Sequence, residues 1–172
     1  MKKWTSLLLL AALLLTLVGC GKKTEPSAFN VEGTPEEIIA KIYEAHKPID
    51  LALVGMDLDL TDADAVTYNT GLTSADRFSA VSISETMLGQ PYSLVVARVA
   101  AGADAAQTAK EMFEKIDLRK WICVAADTKT AAYCGDVVMF FMIDSEYADV
   151  ATTKTMEEAF QTVCSGHAVI IG

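Results

Sequence analysis

This sequence is poor in most of the residues that do chemistry. It has 2 histidines, 4 cysteines and 4 prolines in 172 residues, and aromatics make up 8%. Basic residues are scarce too. Fourteen Lys and Arg stand against 23 Asp and Glu, for a net charge of -9. That balance excludes a nucleic-acid binder, which needs a basic face to neutralise phosphates. It equally excludes adhesion to anionic lipid through basic patches. No nucleophile elbow, phosphate-binding loop or dinucleotide-binding glycine fingerprint occurs. Ser165-Gly166-His167 sets a hydroxyl beside an imidazole, but near neighbours in sequence are poorly placed as nucleophile and base. No complete catalytic constellation is present, and an enzyme is not expected.

What is present begins with the leader. Lys2 and Lys3 form a positive start, and Leu7 to Val18 is an apolar block too short for a membrane span. Leu17-Val18-Gly19-Cys20 then reads as a lipobox, with cleavage between Gly19 and Cys20. A small residue fits a narrow peptidase groove, and the Cys20 thiol is the group that receives diacylglycerol. The competing reading is an ordinary secretory signal with an incidental cysteine. Charged start, apolar block, small residue and cysteine in this order favour the lipoprotein signal. Cys20 would then be acylated and the protein held on the outer face of the cell membrane. Loss of residues 1–19 leaves 12 basic and 23 acidic residues, a net charge of -11. Residues 20–33 are polar, carry Pro26 and Gly33, and read as a tether. Residues 34–172 are expected to form one domain.

Helix starts stand out within that domain. Thr34-Pro35-Glu36-Glu37 is a capping box with Pro at the first helical position, followed by Ile38, Ile39, Ile42 and Tyr43 on one face. Asp104 opens a second helix, whose stripe is Ala105, Ala109, Met112, Phe113 and Ile116. Thr155-Met156-Glu157-Glu158 reads as another capping box, before Ala159, Phe160, Val163 and Cys164. A short helical turn is placed at Asp62–Asn69, ahead of Gly71. Strands are read at Phe78–Glu85, Tyr92–Ala100, Trp121–Ala126, Thr130–Cys134 and Val137–Ile143. Gly135-Asp136 makes the last two a hairpin. Val137–Ile143 (VVMFFMI) is expected mid-sheet, because an exposed run of that kind invites aggregation. The fold class is therefore α+β: an antiparallel sheet of two hairpins with about three helices, packed on one face. Ile38, Ile42, Met112, Phe113, Ile116, Phe160 and Val163 are expected in one core with Val96, Val99, Met139 and Phe141.

The lipobox, the capped first helix, RFSAVSISE, VARVAAGADAAQTAKEMFEKI and AAYCGDVVMFFMIDSE occur in an order similar to that of certain small lipoproteins of Gram-positive bacteria. These carry a single domain of unknown function, and the likeness covers roughly residues 34–145. After Ile116 this chain is shorter, reading DLRKWICVAADTK. The resemblance implies a surface-anchored, non-enzymatic domain and assigns no catalytic residue.

Three sets of residues remain as site candidates. Asp57, Asp59, Asp62 and Asp64 alternate as calcium loops do, but the sixth position lacks Gly and the twelfth is Tyr68. A solvated loop running into a helix start is the plainer reading. Cys164 and His167 have zinc-like spacing, with Cys123 and Cys134 to complete a set, yet all three cysteines lie in apolar contexts. No metal or other cofactor is expected. Cys123 and Cys134 could instead form a disulfide across a turn at Thr128-Lys129, or all three thiols could stay buried and reduced. His46 reads as a helix C-terminal cap. The leading function is a binding or interaction module whose partner is another envelope protein or a wall component. The alternative is a lipoprotein that captures a small solute or metal, with an enzyme as the third reading. A flat exposed apolar patch favours the first. A deep polar pocket favours the others.

Overall fold

Two strands govern this architecture because they have no polar face to turn outward. Tyr92–Val99 buries every residue but Arg98, and Val137–Ile143 buries all seven. Both must lie inside a sheet that is covered on both sides. The computed structural model describes residues 29–48, 51–87 and 89–172, and there it meets that demand. The signal segment, Gly19, Cys20 and the tether to residue 28 lie outside the described residues.

In chain order the elements are α1 (Pro35–Ala45), β1 (Leu53–Asp57), α2 (Ala63–Thr70), β2 (Phe78–Thr86), β3 (Tyr92–Val99), α3 (Ala105–Lys115), β4 (Thr128–Cys134), β5 (Val137–Ile143), α4 (Thr153–Val163) and β6 (Val169–Ile170). Single 3-10 turns at Ala75–Arg77 and Ser145–Tyr147 lead into β2 and follow β5. The fold is α+β. Its sheet is antiparallel throughout, in the order β1-β2-β3-β5-β4-β6. The apolar run of β5 is therefore central, between β3 and β4.

Helices cover both faces, which corrects the one-sided packing read from the sequence. The expected single core is two. On one face α1 and α4 press Ile38, Ile42, Met156 and Phe160 onto Tyr92, Leu94, Val96, Met139 and Phe141. On the other, α2 and α3 place Val66, Ala109 and Met112 against Val81, Val95, Val99, Phe140 and Met142. Val99 thus lies on the opposite side from Val96, as strand alternation requires. Met112, Phe113 and Ile116 do not meet Ile38 or Phe160.

Local chemistry fixes the helix ends. The Thr34 hydroxyl accepts from Glu37 N–H while the Glu37 carboxylate accepts from Thr34 N–H, closing the expected box. The α4 box lies three residues earlier than read. Thr152 is the cap and Thr155 its partner, so helix begins at Thr153. Asp62 and Asp104 cap α2 and α3. Gly71 ends α2 at φ 72, where a Cβ would stand 2.6 Å from Ile116 N. Trp121–Ala126 is not a strand. Cys123 adopts φ 73 within it, and the segment runs outside the sheet. Two strands absent from the sequence reading, β1 and β6, form the sheet edges instead.

The packed structure also takes in part of the segment read as tether. Val31 is buried in the α1–α4 core. The Arg98 guanidinium donates to the carbonyls of Val31 and Gly33 and, through Nη1, to both oxygens of Asp136 at 2.6 and 2.8 Å. It ties the entering chain to the β4–β5 turn. Under α1, Tyr43 OH donates to Ser84 Oγ at 2.8 Å and shares a hydrogen bond with Tyr92 OH at 3.0 Å.

Phe141→Ala should lower stability by about 3–5 kcal/mol, the usual cost of emptying a buried Phe site, and Phe113→Ala by clearly less because Phe113 is only partly buried. Urea denaturation at pH 7.5 measures both. Burial pushes the Tyr43 and Tyr92 hydroxyls above their ordinary pKa of 10.0. The unfolded chain therefore releases these protons first, and the associated stability is full below pH 10 and lost as pH rises beyond it. The urea midpoint should fall above pH 10, and fall less steeply in Tyr92→Phe.

Candidate functional site

Strand β1 is the least protected element of the sheet. Only Leu53 of its five residues is even partly buried. It pairs with β2 on one side alone. Met87 N–H donates to Ala52 O and Leu58 N–H to Val81 O, so the even-numbered residues bond inward. By antiparallel alternation, the backbone groups of Gly55 and Asp57 point outward, to the open edge. Val54 and Met56 stand opposite Glu85 and Ile83 and share their side of the sheet. They are 37% and 53% exposed. Tyr68, 46% exposed, lies on the same side, where its ring packs by the Lys120 ammonium that pairs with Glu85.

The acidic run borders this edge. Asp57 was read within a loop but belongs to β1, where its carboxylate accepts from Ser82 Oγ. Asp59 accepts from Thr61 N and Oγ1 at 2.9 and 2.7 Å, and those bonds hold its carboxyl below the usual range. Asp62 accepts from Asp64 N and Ala65 N, and Asp64 lies in the first turn of α2. Three of the four carboxylates are thus engaged with their own chain. Among the described residues, no group of three or more His, Cys, Asp or Glu side chains is placed to hold a metal ion.

Lys120 holds the apolar rim in place. Its side chain is 1% exposed, and the ammonium pairs with Glu85. It also donates to Asn69 Oδ1 at 3.1 Å and Ser93 Oγ at 3.3 Å. The same Nζ lies 5.0 Å from the centre of the Tyr68 ring and 5.3 Å from that of Trp121. Tyr68 OH returns a hydrogen bond to Lys120 O at 2.9 Å. One cation therefore joins α2, β2, β3 and the 117–126 segment. Burial lowers its pKa, while the Glu85 carboxylate opposes that shift. Sequence reasoning passed over Lys120, because a lysine in a polar stretch gives no sign that partners 27 to 51 positions away will enclose it.

The proposed metal and disulfide sets are not assembled as read. Cys123 is exposed and Cys134 buried, so the Cys123–Cys134 hairpin pair does not form; Cys134 lies opposite Val137 instead. Cys164 caps α4 and is buried. His167 is exposed and stacks on Phe29 at 4.8 Å, and His46 caps α1 through its backbone N–H to Ile42 O. A separate open groove of about 910 Å³ lies where the β3–α3 loop meets the β4–β5 turn. Ala100 to Ala106 supply much of its wall, and among the described residues Asp104 and Asp136 are the charged ones lining it. No family model, curated protein or solved structure matches this chain.

Lys120→Met leaves Glu85 without its cation in a sheltered site, and should cost about 3 kcal/mol in urea denaturation. Adding Glu85→Leu should restore most of that loss, since the unpaired charge is then gone. A double variant no better than the single one would contradict this role for the pair.

Proposed function

We propose that this chain is an exported lipoprotein, anchored through Cys20, whose domain is a non-enzymatic interaction module. Its partner is an envelope protein that lays an extended, basic segment along the open edge of β1. The carrying observation is that edge, with outward backbone groups beside exposed Val54 and Met56. An added strand satisfies such groups through main-chain hydrogen bonds, and alternate side chains meet the rim. Open apolar edges also promote unwanted pairing, and this one is guarded mainly by its shortness and by Asp57. Charge selects the occupant. Asp57, Asp59, Asp62 and Asp64 line the exit of β1, and the chain as a whole is acidic, so Lys and Arg are favoured and acidic segments repelled. The anchored location rests on the ordered leader ending Leu-Val-Gly-Cys and extends to this chain what its resemblance to small surface lipoproteins implies. The solute-capture reading has less behind it, because the groove is open and, among the described residues, its charged side chains Asp104 and Asp136 are not buried.

Two measurements test the reading. Cys20→Ala should release the domain from the membrane fraction and remove acyl mass from residue 20. Continued membrane association of the variant, with no acyl group on the wild type, would refute the anchor. A photo-reactive residue at Met56 in intact cells should crosslink to a Lys- or Arg-bearing extended segment, and Gly55→Pro, which removes an outward donor, should reduce that crosslink about tenfold. Crosslinks to acidic segments, or crosslinks indifferent to Gly55→Pro, would overturn the docking edge.

A further inference from the structure

The open groove beside the β4–β5 turn plays no part in strand docking, yet the chain enters the domain along its rim. Phe29 and Asn30 line it together with the loop of Ala100 to Ala106. Three contacts fix that rim. The Phe29 ring stacks on His167, and Arg98 holds the carbonyls of Val31 and Gly33. Gly135, at φ 59, lets Phe29 O approach so closely that a Cβ there would stand 2.5 Å from it. Residue 28 therefore leaves from a fixed point on the groove. Tyr133 also lines it. This side chain is only 6% exposed, yet its hydroxyl has no hydrogen-bond partner among the described residues and is not sealed off from the groove. Asp104 is exposed, and the Asp136 side chain stays 42% exposed although Arg98 donates to both of its oxygens.

We propose that the occupant of this groove is the chain's own tether, residues 22–28 (KKTEPSA), seated along Ala100 to Ala106 with Lys22 and Lys23 against Asp104 and Asp136. Ala28 is one peptide bond from Phe29, so the segment is held at the groove at millimolar effective concentration, and weak contacts suffice. Lys22 and Lys23 stand six and five positions before Ala28, within about 20 Å of extended chain. They are the cations of the segment and Glu25 is its one acid. A net basic strip therefore meets two carboxylates. Ser27 and Ala28 are small enough for a wall of alanines, and Pro26 favours the extended backbone that a groove needs. The hydroxyls of Thr24 and Ser27, and the backbone carbonyls beside them, offer Tyr133 the partner it lacks. Seating sets the height of the domain. Extended, the nine residues from Cys20 to Ala28 span about 30 Å. Seated, they keep the groove close to the lipid on Cys20.

That height rests on the anchoring proposed above, whereas the seat does not. The test accordingly uses the full chain carrying Cys20→Ser, folded in detergent and treated with trypsin, with cleavage after Lys22 and Lys23 followed by mass. Ala101→Trp fills the groove from an exposed loop position. It should speed that cleavage about tenfold while the urea midpoint stays unchanged. Tyr133→Phe keeps the ring and removes the unpartnered hydroxyl. It should speed cleavage about threefold, again without a change in midpoint. A photo-reactive residue at Thr24 should crosslink, within the same chain, to the peptide that carries Ala100 to Ala106. Equal cleavage of all three proteins, or crosslinks scattered over the surface, would overturn the seat. Crosslinks between chains that grow with concentration would overturn it in favour of a second copy's tether. A seated tether in a chain that carries no acyl group in cells would support the seat and count against the anchor.

Discussion

Two adjacent strands with apolar side chains on both faces constrain everything else in this domain. β3 and β5 pair along seven positions, from Tyr92 with Ile143 to Arg98 with Val137. Neither face of that pair can meet water without exposing Leu94, Phe141 and Met139 on one side or Val95, Phe140 and Met142 on the other. Two helices per face follow from this. The capped starts of α1 and α4 supply one cover, and those of α2 and α3 the other. Polar groups drawn inside must then find partners. The Tyr43–Ser84–Tyr92 chain and the Lys120 cluster each serve a group that the double cover has enclosed.

The same constraint leaves the edge strands thinly covered. Packing is richest over the central strands and thins outward, so β1 is held mainly by main-chain bonds to β2, with one side-chain bond from Ser82 to Asp57 and four exposed residues. The 117–126 segment does not repair this. Instead Lys120 anchors it beside Tyr68, with the Trp121 ring near the same ammonium, and leaves Ile122 exposed. A rigid, doubly covered centre with an open margin is a good arrangement for recognition, because the docking strand is positioned by elements that bear no contact with the partner.

Much of the centre was legible in the sequence, because it depends on short-range pattern. VVMFFMI can only be an interior strand, and Thr34, Asp62 and Asp104 announce helix starts by local hydrogen bonding. The two-sided cover was implied by the same run, but the order of hairpins and helices does not say which helix goes to which face. LVGMD gave no alternation to read, because an edge strand with Gly55 and exposed Val54 and Met56 has no buried face. WICVAA misled in the opposite direction. It is apolar enough for a strand, yet Cys123 at φ 73 turns the chain, and its position is set by the Lys120 ammonium rather than by a ladder of backbone bonds. The enclosure of Lys120 is a product of tertiary packing and has no short-range signature.

Residue-resolved hydrogen exchange on the purified domain tests this division of labour most directly. The account predicts that β5 amides exchange only through global unfolding. It predicts intermediate protection at Val54 and Met56, which bond to β2, and almost none at Gly55 and Asp57, which face the open edge. Gly55 and Asp57 as protected as Met56, or β5 amides exchanging as fast as those of β1, would contradict a doubly covered centre with an open margin.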